Sequence, residues 1–220
     1  MDLYPLALSF EVAVAALVVA AVLGILIAAL LANLRFPGRD LIDILLTAPM
    51  VLPPTVLGYY LLVAIGHRSA IGSAFRALTG SDIVFTRTGL VVAATVGGLP
   101  IVVKSGRAAL EGVDATLIQA ARTLGAGPVR AFLTVQLPLA MRGIVAALML
   151  AFARSLGDFG VTLMLAGNIP GKTQTASLAI YDFLGAHRNA EAAVMAAVLA
   201  AVAIALLYGA NKLTSRHDGL

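Results

Sequence analysis

The chain contains no cysteine, which excludes disulfide frameworks and cysteine-based metal sites. Charge is scarce as well: only 12% of the 220 residues are Asp, Glu, Lys or Arg. A soluble domain carries about a quarter, so this chain lacks the means to cover a water-facing surface. The first ten residues hold no Lys or Arg. They lead into an apolar run without a small-residue cleavage site, which reads as a retained span and not as a removed signal peptide. His67, His187 and His217 show no ligand spacing such as His-x-x-x-His and are expected to be exposed loop residues. No Ser/His/Asp set and no catalytic carboxylate pair can be argued. Neither a catalytic centre nor a metal site is expected.

What the chain has instead is apolar sequence. Hydrophobic residues make up 60%, and the mean hydropathy is +0.99. Five apolar stretches stand out, at about Val12–Ala32, Ile44–Ile65, Gly89–Val103, Gly143–Ala166 and Ala192–Ala210. A bilayer crossing takes roughly 20 residues of helix. The runs are continuous and lack the alternation of a membrane barrel. The expected fold is therefore all-α and polytopic, a single transmembrane domain over 1–220 with about five spanning helices. A sixth, short or re-entrant helix is expected near Thr175–Leu184. The formal charge of +4 does not point to nucleic acid, because Lys and Arg sit mostly at the ends of the runs, as retention charges do.

Orientation follows from the linkers. With the N-terminus outside, the inner segments hold Arg35, Arg39, Lys104, Arg107, Arg122, Arg130, Arg142, Lys212 and Arg216. The outer ones hold Arg68, Arg76, Arg87, Lys172 and Arg188, so the balance of nine to five favours this topology. Asp40 and Asp43, just before the second run, are expected to be solvated.

Several runs are interrupted. The second contains Pro49, Pro53 and Pro54, and the short third contains Gly97, Gly98 and Pro100. Proline costs about 3 kcal/mol inside a helix, yet membrane helices tolerate it where neighbours satisfy the freed carbonyls. These breaks are either packing kinks or a pathway lined by broken helix. Gly24 and Gly58 are expected to allow close helix contact. In the fourth run Arg154 and Asp158 stand four apart and can meet on one helix face. Intramembrane charges face protein or a water-filled path. The pair is either mutually neutralising, or Arg154 lends positive potential to a passing anion with Asp158 orienting it.

The linker between the third and fourth runs, about 105–138, is the most informative segment. Glu111 and Asp114 open it, and Leu117, Ala120, Ala121 and Leu124 recur at helical spacing. Gly125 and Gly127 can take positive φ, and Pro128 can open the next helix. Two short helices around a turn, partly apolar and expected to face the cytoplasm, look like a docking element for a soluble partner.

This stretch resembles the EAA signature of binding-protein-dependent ABC importer permeases: Glu-Ala-Ala, three residues, Gly, nine residues, Ile, any residue, Leu-Pro. Gln119, Ala120, Ala121, Gly125, Val135, Leu137 and Pro138 fill those places over 20 residues. Gln119 replaces Glu, and Val135 replaces Ile. Leu52–Leu62 and the segments Arg154–Gly160 and Gly167–Thr175 are similar to the molybdate/tungstate branch, which commonly has Glu where Asp158 stands. The resemblance covers most of the chain from Arg35 to Tyr181. It implies a type I importer permease fold and a coupling helix, with Gln119, Ala120, Ala121, Gly125, Ala126, Leu137 and Pro138 seated on an ATPase. The translocation path would be lined by Arg154, Asp158, Pro53 and Pro54.

Further implications are a homodimer in the bacterial cytoplasmic (inner) membrane, two cytoplasmic ABC ATPase subunits and an extracytoplasmic oxyanion-binding protein. No cofactor is bound by this chain, which is no enzyme; ATP is used by the partner ATPase. Sulfate or thiosulfate permeases are the nearest alternative. A secondary transporter or channel would have no reason to carry the coupling loop, and an intramembrane enzyme would need catalytic residues. The Gly171-Lys172-Thr173 sequence imitates the end of a phosphate-binding loop. Only three residues separate its glycines where four are needed, so no nucleotide site is expected there.

Overall fold

The structure, a computed structural model, describes residues 3–34 and 36–214. Arg35, Arg216 and His217 lie outside the described residues. Among the described residues all regular elements are helical. The first run is α1 (Tyr4–Asn33), the second α2 (Arg39–Val51) and α3 (Pro54–Ile65), and α4 (Ala70–Thr79) leads to α5 (Arg87–Glu111). Then come α6 (Ala115–Thr123), α7 (Pro128–Ala131), a π-helical turn (Phe132–Gln136), α8 (Leu137–Leu156) and α9 (Gly160–Ala166). Last are α10 (Ala176–Gly185) and α11 (Asn189–Thr214). Among the described residues four helical segments are long and apolar enough to cross a membrane, and a fifth is present if the bent pair α2–α3 counts as one span.

Small residues assemble the bundle. Ala13, Ala16, Ala20, Gly24 and Ala28 recur every three or four positions on α1 and are buried, so one stripe faces inward. That stripe packs against Leu90, Ala94 and Val102 of α5. A Cβ built on Gly24 would stand 2.7 Å from Val102 Cγ1, and one on Gly58 would stand 2.6 Å from Met164 Cβ, as expected of close helix contacts. The opposite face of α1, with Val18, Val22, Leu26 and Leu30, is exposed and suits lipid.

Contacts at the two ends fix the directions. Arg87 donates to the Tyr4 hydroxyl at 3.1 Å, joining the starts of α5 and α1. At the other end Ala28, Leu110, Ala140 and Ile144 form one cluster. Hence α1 and α5 run parallel, and α8 runs against them.

The third run differs from expectation. Although Gly97, Gly98 and Pro100 interrupt its composition, α5 is one helix of 25 residues continuing through Pro100. Hydropathy marks only its apolar middle; Arg87, Lys104, Arg107 and Glu111 extend it at both ends. The fourth run is broken instead, at Gly157–Phe159 between α8 and α9. The linker is also shorter than 105–138. Helix α5 lasts to Glu111, and the fourth span already begins at Pro128, which leaves 112–127 as connector. The sixth helix is α10, ten residues long and too short to cross.

Candidate functional site

Two breaks meet inside the bundle. The second run divides at Leu52–Pro53, where the axes of α2 and α3 are bent by 119°. Pro53 caps α3 and Pro54 is its first residue, the position where a missing N–H costs nothing. The fourth run divides at Gly157–Phe159, and a Cβ on Gly160 would lie 2.6 Å from Pro54 Cβ. The two interrupted spans thus touch at their breaks. Beside them lies a cavity of about 220 Å³, lined by Pro49, Met50, Leu52, Pro54, Leu57, Gly97, Ile101, Arg154 and Val161. Gly97 is open to space, with nothing within 4 Å of an added Cβ.

Arg154 and Asp158 do meet. Arg154 Nη1 donates to Asp158 Oδ1 at 3.2 Å, with the arginine side chain 40% exposed and the aspartate 3%. Asp158 Oδ2 accepts from the Thr162 amide at 2.9 Å and from its hydroxyl at 2.6 Å. The carboxylate therefore caps the first turn of α9 while anchoring Arg154. Ser177 Oγ donates to the Asp158 carbonyl at 2.7 Å, which ties α10 to the break. Asp158 and Pro53 do not line the cavity; Arg154 and Pro54 do. A guanidinium has five N–H donors, and the ion pair with Asp158 uses one of them.

The connector forms the second feature. Asp114 Oδ1 accepts from the Thr116 amide at 2.8 Å and caps α6; that bond holds its carboxyl below the usual carboxylate value. Helix α6 ends at Thr123, and Gly125 has φ +88°, a conformation that glycine adopts without cost. Gly127 keeps φ −64° and caps α7, which opens on Pro128. Gln119 and Ala120 are exposed, and Ala121 and Ala126 half-buried. Around them Leu124 is 88% and Val129 70% exposed, an apolar surface at the polar end of the bundle.

Leu137 and Pro138 are not on this surface: they begin α8. Pro138 lacks an N–H and its ring opposes the carbonyl four residues back, and the preceding turn, Phe132–Gln136, takes the wider π form. The signature therefore begins on the surface helix and ends inside a span. Buried Gln136, not singled out from sequence, donates through Nε2 to the Leu110 carbonyl at 3.2 Å and joins this segment to the end of α5.

A third cluster corrects the expectation for Asp43. Its carboxylate is not solvated: Oδ2 accepts from Lys104 Nζ at 2.6 Å and lies 3.5 Å from Arg107 Nη1. Arg107 Nε reaches Glu111 at 2.8 Å, and Arg39 reaches the same carboxylate at 3.0 Å. The Arg107-x-x-x-Glu111 spacing was the available signal for part of this cluster. The Gly-Lys-Thr segment lies in the loop between α9 and α10, with Lys172 exposed and Thr173 buried. No group of three or more metal-ligating side chains occurs among the described residues.

Comparison with known proteins gives the context. The chain is 47% identical over 177 residues to the molybdenum transport system permease protein ModB of Escherichia coli K12, covering 80% of this chain and 77% of that one. The ModB of Azotobacter vinelandii is 41% identical, covering 87% and 84%. The sulfate transport system permease protein CysT of Escherichia coli is 36% identical, covering 89% and 70%. The fold is similar to a structure of the MetNI methionine ABC transporter, with TM-score 0.70, 17% identity and 96% and 95% coverage. Residues 9–217 match the binding-protein-dependent transport system inner membrane component family. The chain belongs to that family and is a multi-pass permease of the inner membrane.

Proposed function

We propose that two copies of this chain form the passage for molybdate or tungstate, and that ATP is hydrolysed on separate ATPase chains docked at α6. An extracytoplasmic oxyanion-binding protein delivers the substrate, and the chain itself carries no cofactor. The observation that carries this reading is Arg154, half-exposed at a cavity where two broken spans meet.

The chemistry suits an oxyanion. Only one donor of Arg154 is committed to Asp158, and the others are available to oxygens. Helix α3 presents its first turn at the cavity through Pro54, and the amides of a first turn have no intrahelical partner and carry positive potential. A water occupies about 30 Å³, so a 220 Å³ cavity admits a small tetrahedral anion with part of its hydration. The anion passes chemically unchanged.

Coupling needs a part that moves with the ATPase. Gln119, Ala120, Ala121, Gly125 and Ala126 offer the docking surface, and Leu137 and Pro138 carry its displacement into α8. ATP binding and hydrolysis then shift the population between outward-facing and inward-facing states, through differential affinity of the ATPase for each. Sulfate is the second reading, favoured by the relative at 36% identity but set behind molybdate by the one at 47%. Labelled molybdate uptake in cells lacking the gene, with and without complementation, tests both. Uptake restored by the gene and blocked by tungstate but not sulfate is expected. Uptake indifferent to the gene would refute molybdate transport.

A further inference from the structure

We propose that the Asp43–Lys104 ion pair is the inner gate of the passage, and that Lys104 with Arg107 forms a second anion station beyond Arg154. The inference rests on reading the Arg154 cavity as the path.

Helix geometry places the pair. On α5, Gly97 and Ile101 line the cavity. Lys104 follows Gly97 by seven residues, which puts it within roughly 20° of the same face and about 10 Å further toward the cytoplasm. On α2, Met50 lines the cavity. Asp43 precedes it by seven residues and is displaced by the same angle and distance. Two of the helices that bound the cavity therefore carry opposite charges one step inward, closed against each other at 2.6 Å.

The pair is incompletely satisfied in this arrangement. Asp43 Oδ2 faces both Lys104 and Arg107, whereas Oδ1 is buried without a hydrogen-bond partner, as is Arg39 Nε. Buried polar atoms left unpaired are costly. Asp158, whose two oxygens are both used, shows the contrast. At the inner pair one carboxylate oxygen masks two cations. A dianion descending from Arg154 brings more charge than that oxygen, takes Lys104 and Arg107, and releases Asp43 and α2. The network continues through Arg107 to Glu111, three residues before the Asp114 cap of α6. The gate thus lies within reach of motion at the coupling helix.

The absence of cysteine makes the test direct, because Gly97→Cys introduces this chain's only thiol into open space. Inside-out vesicles holding the complete transporter are treated with a membrane-impermeant maleimide, and labelling of this chain is timed with and without molybdate. Adding Asp43→Asn should speed labelling by up to about fivefold, the scale of losing one half-exposed ion pair. Lys104→Gln, which opens the same pair from the other side, should do the same and serves if Asp43→Asn fails to accumulate. Molybdate should protect the thiol in all backgrounds. Protection with labelling rates unchanged by either variant overturns the gate and leaves the path standing. Labelling that molybdate never protects overturns the path, and the gate with it.

Discussion

Replacing Gly97 by leucine should stop transport while leaving the protein in the membrane. An added Cβ there meets nothing within 4 Å, so the substitution points into the cavity and not into a neighbouring helix. Leucine adds four carbons. At about 30 Å³ each, a water's share of volume, they fill about 120 Å³ of the 220 Å³ cavity. Forcing an anion through what remains should cost as overpacking does, ~1–3 kcal/mol, so uptake should fall to about a fifth or less. Gly98 supplies the control. Its Cβ would lie 3.2 Å from Ser155 Oγ and 3.5 Å from the Ala151 carbonyl, so Gly98→Leu should deplete the protein itself. Gly97→Ala should retain most uptake. The assay is labelled uptake divided by the amount of protein in isolated membranes. Normal uptake by Gly97→Leu, or protein lost as completely as in Gly98→Leu, would refute the cavity as the route.

Arg154→Ala should lower uptake more than protein abundance, and equal losses would make Arg154 a packing residue. Thr162→Val deletes the 2.6 Å hydroxyl bond to a buried carboxylate, worth ~1.5–3 kcal/mol for a charged acceptor; it should lower the unfolding temperature and leave uptake per molecule unchanged. Gly125→Arg puts a bulky side chain at φ +88° on the docking surface, so ATP hydrolysis by the purified complex should persist while uptake fails; coupled uptake would count against α6 as the docking helix. At the outer face, the hydrogen bond from His67, helped by the charge of Arg76, holds Asp82 below its ordinary 3.8. A depressed carboxylate contributes stability above 3.8 that disappears as pH falls through its lower folded value. The stability gap between wild type and Asp82→Asn, read by thermal unfolding, should therefore close as pH falls through that range.

Much of this was legible because membranes impose local rules. The length of each apolar run sets the number of spans whatever the tertiary packing, and the Lys/Arg bias gives their expected orientation. The Gln119–Pro138 spacing is equally local, and Gly125 takes the left-handed conformation its turn requires. Composition misled where helices outlast their apolar middles, as α5 does through Pro100 to Glu111. It also gave no notice of meetings between distant segments. Nothing near Pro54 announces Gly160, and nothing near Asp43 announces Lys104, 61 residues away. Asp43 next to an apolar run looks like a solvated flank until the partner helix is in place. Asp158 is similar: its i,i+4 relation to Arg154 was readable, but its capping of α9 depends on a break that the sequence disguises as one continuous run.

The two anion stations proposed for the passage share a design that follows from the need to release what they attract. At an effective dielectric constant of about 20, two unit charges about 4 Å apart attract by ~4 kcal/mol, so a dianion on one free arginine would gain ~8 kcal/mol, the scale of micromolar binding. That is strong for a site the substrate must leave. Asp158, 3.2 Å from Arg154 and nearly fully buried, opposes part of the attraction without leaving its cap. Asp43 does the same for Lys104, but it sits on α2, an element with no buried residue of its own. The first carboxylate is fixed by Thr162, with its backbone carbonyl held by Ser177, and can only tune. The second is held chiefly by the cations it masks, so an arriving anion competes with it directly. This difference in anchoring is why the inner pair, and not the Arg154 pair, is suited to open.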